Sequence, residues 1–251
     1  VGADIVAGIA TTPLRHSERP ALYIDIGTNG EMALGNRHEL WCCSTAAGPA
    51  FEGATIRCGV GGIHGAVSGY SKEGYRTIGD TKPVGICGSG LIDIVAYLLD
   101  SGAIDRTGYM ERDFVVEKAG KTAIGADIVV TPRDVRQVQL AKAAIVAGIK
   151  VLLEQAGLQF ADIETMYIGG AFGNFVPPRS AVRVGLIPPE LSERVVLTGN
   201  VAGRGALSAL LSTAFGDRVD AVASAARYVE LSMHGGFNEQ FVMNMDFGAR
   251  V

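Results

Sequence analysis

From Thr131 to Gly157 the sequence spells one long helix, and that helix constrains everything around it. Thr131 supplies an N-cap hydroxyl and Pro132 takes the first helical position, after which the apolar spacing continues for about 25 residues to Gly157. Short apolar runs of strand length lie on both sides. Ala21 to Ile26, Glu31 to Leu34 and Glu39 to Cys43 precede the helix, joined by Gly27–Gly30 and by a second turn at Gly35-Asn36, and read as a meander. Thr165 to Gly169 and Arg194 to Leu197 follow it as two further strands. A second helix opens at GICGSG, where Leu91, Ile92, Val95, Leu98 and Leu99 share one face before Gly102 closes it. A third, Gly/Ala-rich helix is spelled by GNVAGRGALSALL. This order is α/β: a mixed sheet with helices on both faces. AAGPAFE, after the meander, predicts a turn feeding a helix start at Phe51-Glu52; GGAFGNF predicts a loop; and residues 105–130 read as an inserted excursion from the main layer.

Composition removes several function classes. The 251 residues are 48% hydrophobic and 19% charged, which is too apolar for a disordered chain and ample for a core. A net charge of −4 leaves no basic stripe for nucleic acid. Apolar runs such as Ala141 to Leu153 are interrupted by Lys142 and Lys150, so no transmembrane helix is expected and a membrane is not a partner. The opening VGADIVAGIA lacks a basic n-region and a cleavage site, and the absence of an initial Met suggests an internal part of a longer polypeptide. Cys42, Cys43, Cys58 and Cys87 form no C-x-x-C pair and read as reduced packing thiols of a cytoplasmic protein. The four histidines, His16, His38, His64 and His234, are scattered singly.

Four glycine-rich segments carry the chemistry. DIGTNGE sets Asp25 at the end of a buried strand, followed by Gly27, Thr28, Asn29, Gly30 and Glu31 in a tight turn whose backbone N–H groups suit a phosphate, with Asp25 suited to Mg²⁺ held through water. Taken alone, the same residues read as an ordinary Asn-Gly hairpin. AAGPAFE places Gly48 at a strand exit and Glu52 about one helical turn on, as a ribose acceptor or a helix carboxylate. CGSG sets Gly88, Ser89 and Gly90 at a helix N-terminus, where an anion binds or Ser89 caps. YIGGAFGNF puts Gly169, Gly170, Ala171, Phe172 and Gly173 just beyond a strand, a place for a nucleoside or for close helix packing. A branched side chain at Gly170 is therefore expected to weaken nucleotide binding at little cost to the fold.

In this order the segments resemble the second lobe of the acetate and sugar kinase, actin and heat-shock chaperone superfamily, a ribonuclease-H-like fold. GADIVAGI, DIGTNGE, AAGPAFEGA, GICGSGLID, QLAKAAI and GGAFGN are closer still to the carboxy-terminal ATPase region of the reductive activators of corrinoid proteins, from Gly2 to Phe247. The resemblance implies an ATP- and Mg²⁺-dependent protein that helps pass an electron from a [2Fe–2S] cluster to an inactive Co(II) corrinoid protein, restoring Co(I). It implies Asp25 as the catalytic, metal-facing carboxylate and the glycine segments as the nucleotide site, with a homodimer allowed. The cluster domain and the first ATPase lobe are expected outside residues 1–251. A small-molecule kinase of the same superfamily, or a module that docks a corrinoid protein without turnover, remain the rival readings.

Overall fold

A computed structural model describes residues 2–173 and 175–248. The first helix, α1 (Ala3–Thr11), leads into the meander β1 (Ala21–Ile26), β2 (Gly30–Gly35) and β3 (Leu40–Thr45). The chain then forms β4 (Ala66–Ser71), β5 (Gly74–Thr77), β6 (Gly85–Ile86), α2 (Gly88–Ser101), β7 (Phe114–Glu117) and β8 (Ile128–Val130). The long helix α3 (Pro132–Ala156) precedes β9 (Thr165–Gly169), a one-turn helix α4 (Gly170–Gly173) and α5 (Pro178–Arg183). The remainder is β10 (Val195–Gly199), α6 (Val201–Leu211), α7 (Thr213–Ala225), β11 (Ala226–Tyr228) and α8 (Phe237–Met243).

Six strands build the main sheet in the order β10-β9-β1-β2-β3-β11. The meander is antiparallel, whereas β9 runs parallel to β1 and to β10, so the sheet is mixed. That direction puts the carboxyl ends of β1, β9 and β10 at one edge, where open α/β sheets bind ligands. The sequence implies a single sheet, but the structure adds two smaller ones: β5-β4-β6, and the β7-β8 pair inside the 105–130 excursion.

Period-two alternation divides the core between the two faces. Leu22, Ile24, Ile26, Met32, Leu34 and Cys43 pack toward α2 and α3, while Ala21, Tyr23, Ala33, Leu40 and Cys42 pack with residues of α1, α6 and α7. Adjacent cysteines thus face opposite layers, as their strand position requires. The α3 start is as the sequence spells it. Thr131 accepts from the Asp134 amide while the Asp134 carboxylate accepts from Thr131, a capping box that also receives the Arg57 N–H at 2.8 Å.

Two local expectations fail. No helix follows AAGPAFE: residues 49–55 are turns, and both Gly48 (φ +76°) and Gly53 (φ +85°) take left-handed backbone that would interrupt a helix started between them. GGAFGNF is not an open loop either, because Gly170–Gly173 close into the single turn α4. Among the described residues no helix is long and apolar enough to cross a membrane.

Candidate nucleotide site

Asp25 is the last but one residue of β1, and its side chain projects on the Tyr23 face because residues two apart on a strand share a face. The Tyr23 hydroxyl donates to Asp25 Oδ2 at 3.0 Å. Burial raises the carboxyl above its ordinary range, the Tyr23 hydrogen bond opposes that, and the nearby Asp4 carboxylate adds to it. Glu31 is raised as well, by burial and by Asp4. Asp4, Asp25 and Glu31 line a cavity of about 230 Å³ with Gly27, Thr28 and Asn29, so among the described residues its walls hold three carboxylates and no lysine or arginine. Asp4 and Tyr23 were not among the residues singled out from sequence. Tyr23 was legible from its i−2 spacing to Asp25, and Asp4 from its place in GADIVAGI.

DIGTNGE alone of the four glycine segments lines this cavity, and the other three join it through a chain of contacts. The Gly48 amide donates to the Thr28 carbonyl at 2.9 Å, and the Thr28 hydroxyl to Glu52 Oε2 at 2.5 Å. Glu52 therefore sits in a turn against the DIGTNGE tip, not one helical turn into a helix. One residue earlier, the Phe51 ring stacks on Phe172 at 5.0 Å between centroids and 6° between planes. Gly88 closes the group, since a Cβ there would collide with the Phe51 carbonyl and with the Phe172 ring. Finally, Gly170 lies on Asp25 itself. A Cβ at Gly170 would stand 2.5 Å from Asp25 Oδ1 and 2.8 Å from the Ile26 carbonyl, and Gly170 has φ +89°. The expectation that a larger residue there costs the fold little is corrected on both counts, strain and collision.

Several assigned roles change in detail. Gly27 cannot offer its amide to a ligand, because it donates to the Asn29 carbonyl at 3.1 Å within the turn. Ser89 is not an N-cap: Cys87 holds that position with no side-chain cap, and the buried Ser89 hydroxyl donates to the Ser68 carbonyl at 2.9 Å. Gly90 packs against the Val67 carbonyl, so this helix start is shaped by packing. Phe172 is a buried ring in the core, and Gly173 lies on the Ile168 backbone. Gly169 ends β9 beside Tyr23 and Val201, and Gly30 begins β2 in contact with Thr45 and Ile145. Ala171 belongs to α4, with its side chain outside the described residues, as is Asn174.

The donor set fits Mg²⁺ held through water. Two carboxylates with raised pKa, a third beside them and no lysine or arginine among the described residues of the cavity wall make a site that favours a cation, and Mg²⁺ commonly takes one or two carboxylates while keeping its water. Among the described residues no three His, Cys, Asp or Glu side chains close into a direct metal cage. An iron–sulfur cluster does not fit the cysteines present. Cys42 and Cys43 are buried on opposite faces of the sheet, and burial pushes the Cys42 thiol up to about 12 and raises Cys43 further, away from the thiolate a cluster requires.

Residues 19–250 match the family model for the C-terminal domain of RACo, the ASKHA domain. Over its whole length the chain is 37% identical to the corrinoid activation enzyme RamQ of Eubacterium limosum, covering 46% of that protein. Over 80% of its length it is 31% identical to the [Co(II) methylated amine-specific corrinoid protein] reductase of Methanosarcina barkeri, covering 41% of it. The solved structure of a reductive activator for corrinoid, iron-sulfur protein is similar with a TM-score of 0.93 and 37% identity, over 98% of this chain and 42% of that one. The chain thus spans less than half the length of these relatives.

Proposed function

The chain belongs to the family of RACo C-terminal ASKHA domains, and from that membership we propose that it is the ATP-binding portion of a reductive activator that returns Co(II) corrinoid protein to Co(I). The observation that carries the proposal is the chain of contacts that links the four glycine segments and reaches Asp25 through Gly170. DIGTNGE, AAGPAFE, GICGSG and GGAFG, far apart in sequence, touch one another at the carboxyl edge of the sheet.

Each residue has a task in this reading. Asp25, held by the Tyr23 hydroxyl, faces the metal side of the cavity, with Glu31 and Asp4 adding negative charge that favours a divalent cation. The tip residues Thr28 and Asn29 present backbone to the phosphates, and Glu52 fixes the Thr28 side chain so that the tip keeps one conformation. The Gly169–Gly173 turn forms the nucleoside side, its backbone approachable because Gly170 carries no side chain. When bound, Mg²⁺ supplies the positive charge that offsets charge developing on the transferred phosphoryl group. Nucleotide can drive work only through different affinities for two states of the protein. Here those states are two angles between this lobe and the preceding region that its longer relatives carry. The electron comes from outside residues 1–251, since no cysteine set here accepts a cluster.

The test is ATP-dependent reduction of a Co(II) corrinoid protein, followed by its optical spectrum, using this chain joined to the amino-terminal half its relatives possess. Asp25→Asn is expected to abolish the ATP-dependent rate while leaving the circular dichroism unchanged; an unaltered rate contradicts the assignment. Phosphorylation of added acetate or sugar would instead identify a small-molecule kinase. Tight corrinoid-protein binding with no nucleotide effect would identify a docking module.

A further inference from the structure

QLAKAAI, Gln139 to Ile145, lies on α3 and reaches Gly30 of the DIGTNGE segment through Ile145, yet it contains two of the few polar side chains that are fully buried, Gln139 and Lys142 at 1% and 2% exposure. Both are turned toward the segment Asn244–Gly248. Gln139 Nε2 donates to the carbonyls of Met245 and Thr107, each at 3.0 Å. Lys142 Nζ donates to the Asp246 carbonyl and stands 5.5 Å over the Phe247 ring. Further along the same helix, Lys150 donates to Asn244 Oδ1 at 3.1 Å. The Phe247 amide donates to the Arg106 carbonyl at 2.8 Å, and its ring is 1% exposed in the main core. Arg183, the last residue of α5, donates to the Gly248 carbonyl at 3.1 Å and, through Nε, to Asp100 of α2 at 2.6 Å. Five consecutive residues are thus each held by a different group, where the chain turns out of α8: Asn244 caps that helix and the Met245 amide donates to the Val242 carbonyl.

We propose that Asn244–Gly248 is an intrinsic peptide ligand, seated in a groove between α3, α5 and the Arg106–Thr107 turn, whose occupancy positions α5 and the glycine turn α4 that precedes it.

The link to α4 is short, because α5 begins at Pro178, a few residues after Gly173. One side of α5 is tied to α2 by the Ser180 hydroxyl on Asp93 Oδ1 at 2.6 Å and by Arg183 on Asp100. The Arg183 guanidinium, which bonds both Asp100 and the Gly248 carbonyl, couples the seated segment to the helix. The seat combines opposed contributions. Burial of Phe247 favours it, whereas the buried Lys142 ammonium and the Gln139 Oε1, which has no hydrogen-bond partner, oppose it. Both polar groups would regain water if the segment left, which lowers the cost of opening against the burial of Phe247.

The effect on nucleotide rests on the proposed ATP site; the effect on α5 does not. Hydrogen exchange of residues 170–183 is therefore measured without nucleotide, in the intact chain, in a chain ending at Met243 and in the full chain carrying Phe247→Ala. Both variants are expected to exchange there faster by on the order of tenfold, with β1 and β9 unaffected. A synthetic peptide of residues 244–251 added to the shortened chain is expected to restore protection, and the same peptide with Phe247→Ala is not. Unchanged exchange at 170–183, acceleration spread equally over β1 and β9, or failure of the peptide to restore protection overturns the proposal. The same samples titrated with MgATP then report separately: if the intact chain shows no nucleotide effect, the ATP-site reading fails while the exchange result still decides the role of the segment.

Discussion

Gly170 and Asp25 are in such close approach that a single added methyl at Gly170 would stand 2.5 Å from the Asp25 carboxylate. The turn after β9 and the carboxylate at the end of β1 therefore have a fixed relation set by parallel pairing, Asp25 lying opposite Gly169.

Gly170→Ala is expected to cost about 1–2 kcal/mol from left-handed backbone alone, with more from the collision with the Ile26 carbonyl. It should also displace Asp25. Thermal unfolding and calorimetric titration with MgATP check the two effects together, and a variant of unchanged stability would mean that the turn is not held as described.

The Phe51–Phe172 stack joins AAGPAFE to GGAFG across the sheet edge. Phe172→Ala should destabilise by about 3 kcal/mol, the ordinary cost of removing a buried phenyl ring, and a double-mutant cycle with Phe51→Ala should return a coupling of about 1 kcal/mol. Additive losses in urea unfolding would show that the rings do not support each other.

Lys142 gives a pH signature. Burial lowers its ammonium to about 8, with Asp246 opposing the shift and Lys150 adding to it. Between about 8 and the unfolded value near 10.4 the unfolded chain holds more protons, so this group contributes more stability as pH rises. The buried thiols Cys42 and Cys43 pull the opposite way in the same window, because their raised folded values favour the protonated native state. The informative quantity is thus the difference between wild type and Lys142→Met. Their stability gap in denaturant titrations should shift in favour of wild type by on the order of 3 kcal/mol between pH 7 and 10.5. A gap independent of pH would place the Lys142 ammonium in water.

Those same thiols should be chemically quiet. Anaerobic reconstitution with iron and sulfide is expected to leave residues 1–251 without a cluster, and a disulfide reagent at pH 8 should label Cys42 and Cys43 far more slowly than in the unfolded chain. A cluster-type paramagnetic signal after reduction contradicts the division of labour proposed here.

Much of the scaffold was legible in the sequence because its signals are local. The Thr131-Pro132 start and the Gly157 stop frame α3, and strand alternation separates Cys42 from Cys43. What the sequence withheld depends on contacts between distant segments. Phe51-Glu52 looks like a helix start until Gly48 and Gly53 both adopt left-handed backbone, and Glu52 finds its partner in Thr28, 24 residues away. Ser89 has cap chemistry, but the Ser68 carbonyl of a neighbouring strand takes its hydroxyl. Nothing local in the sequence marks Gln139 and Lys142 as buried beneath Asn244–Gly248, because a periodicity argument cannot see a partner about a hundred residues on.

Magnesium-dependent protection of the two loops is the most direct test of the nucleotide site. Hydrogen exchange of the chain joined to its relatives' amino-terminal half, with and without MgATP, should show slowing confined to residues 25–31 and 169–173, lost on omitting Mg²⁺ and lost in Asp25→Asn. Saturable MgATP binding that leaves both loops unchanged, or protection that persists undiminished in Asp25→Asn, would contradict the assignment of ATP to this edge of the sheet.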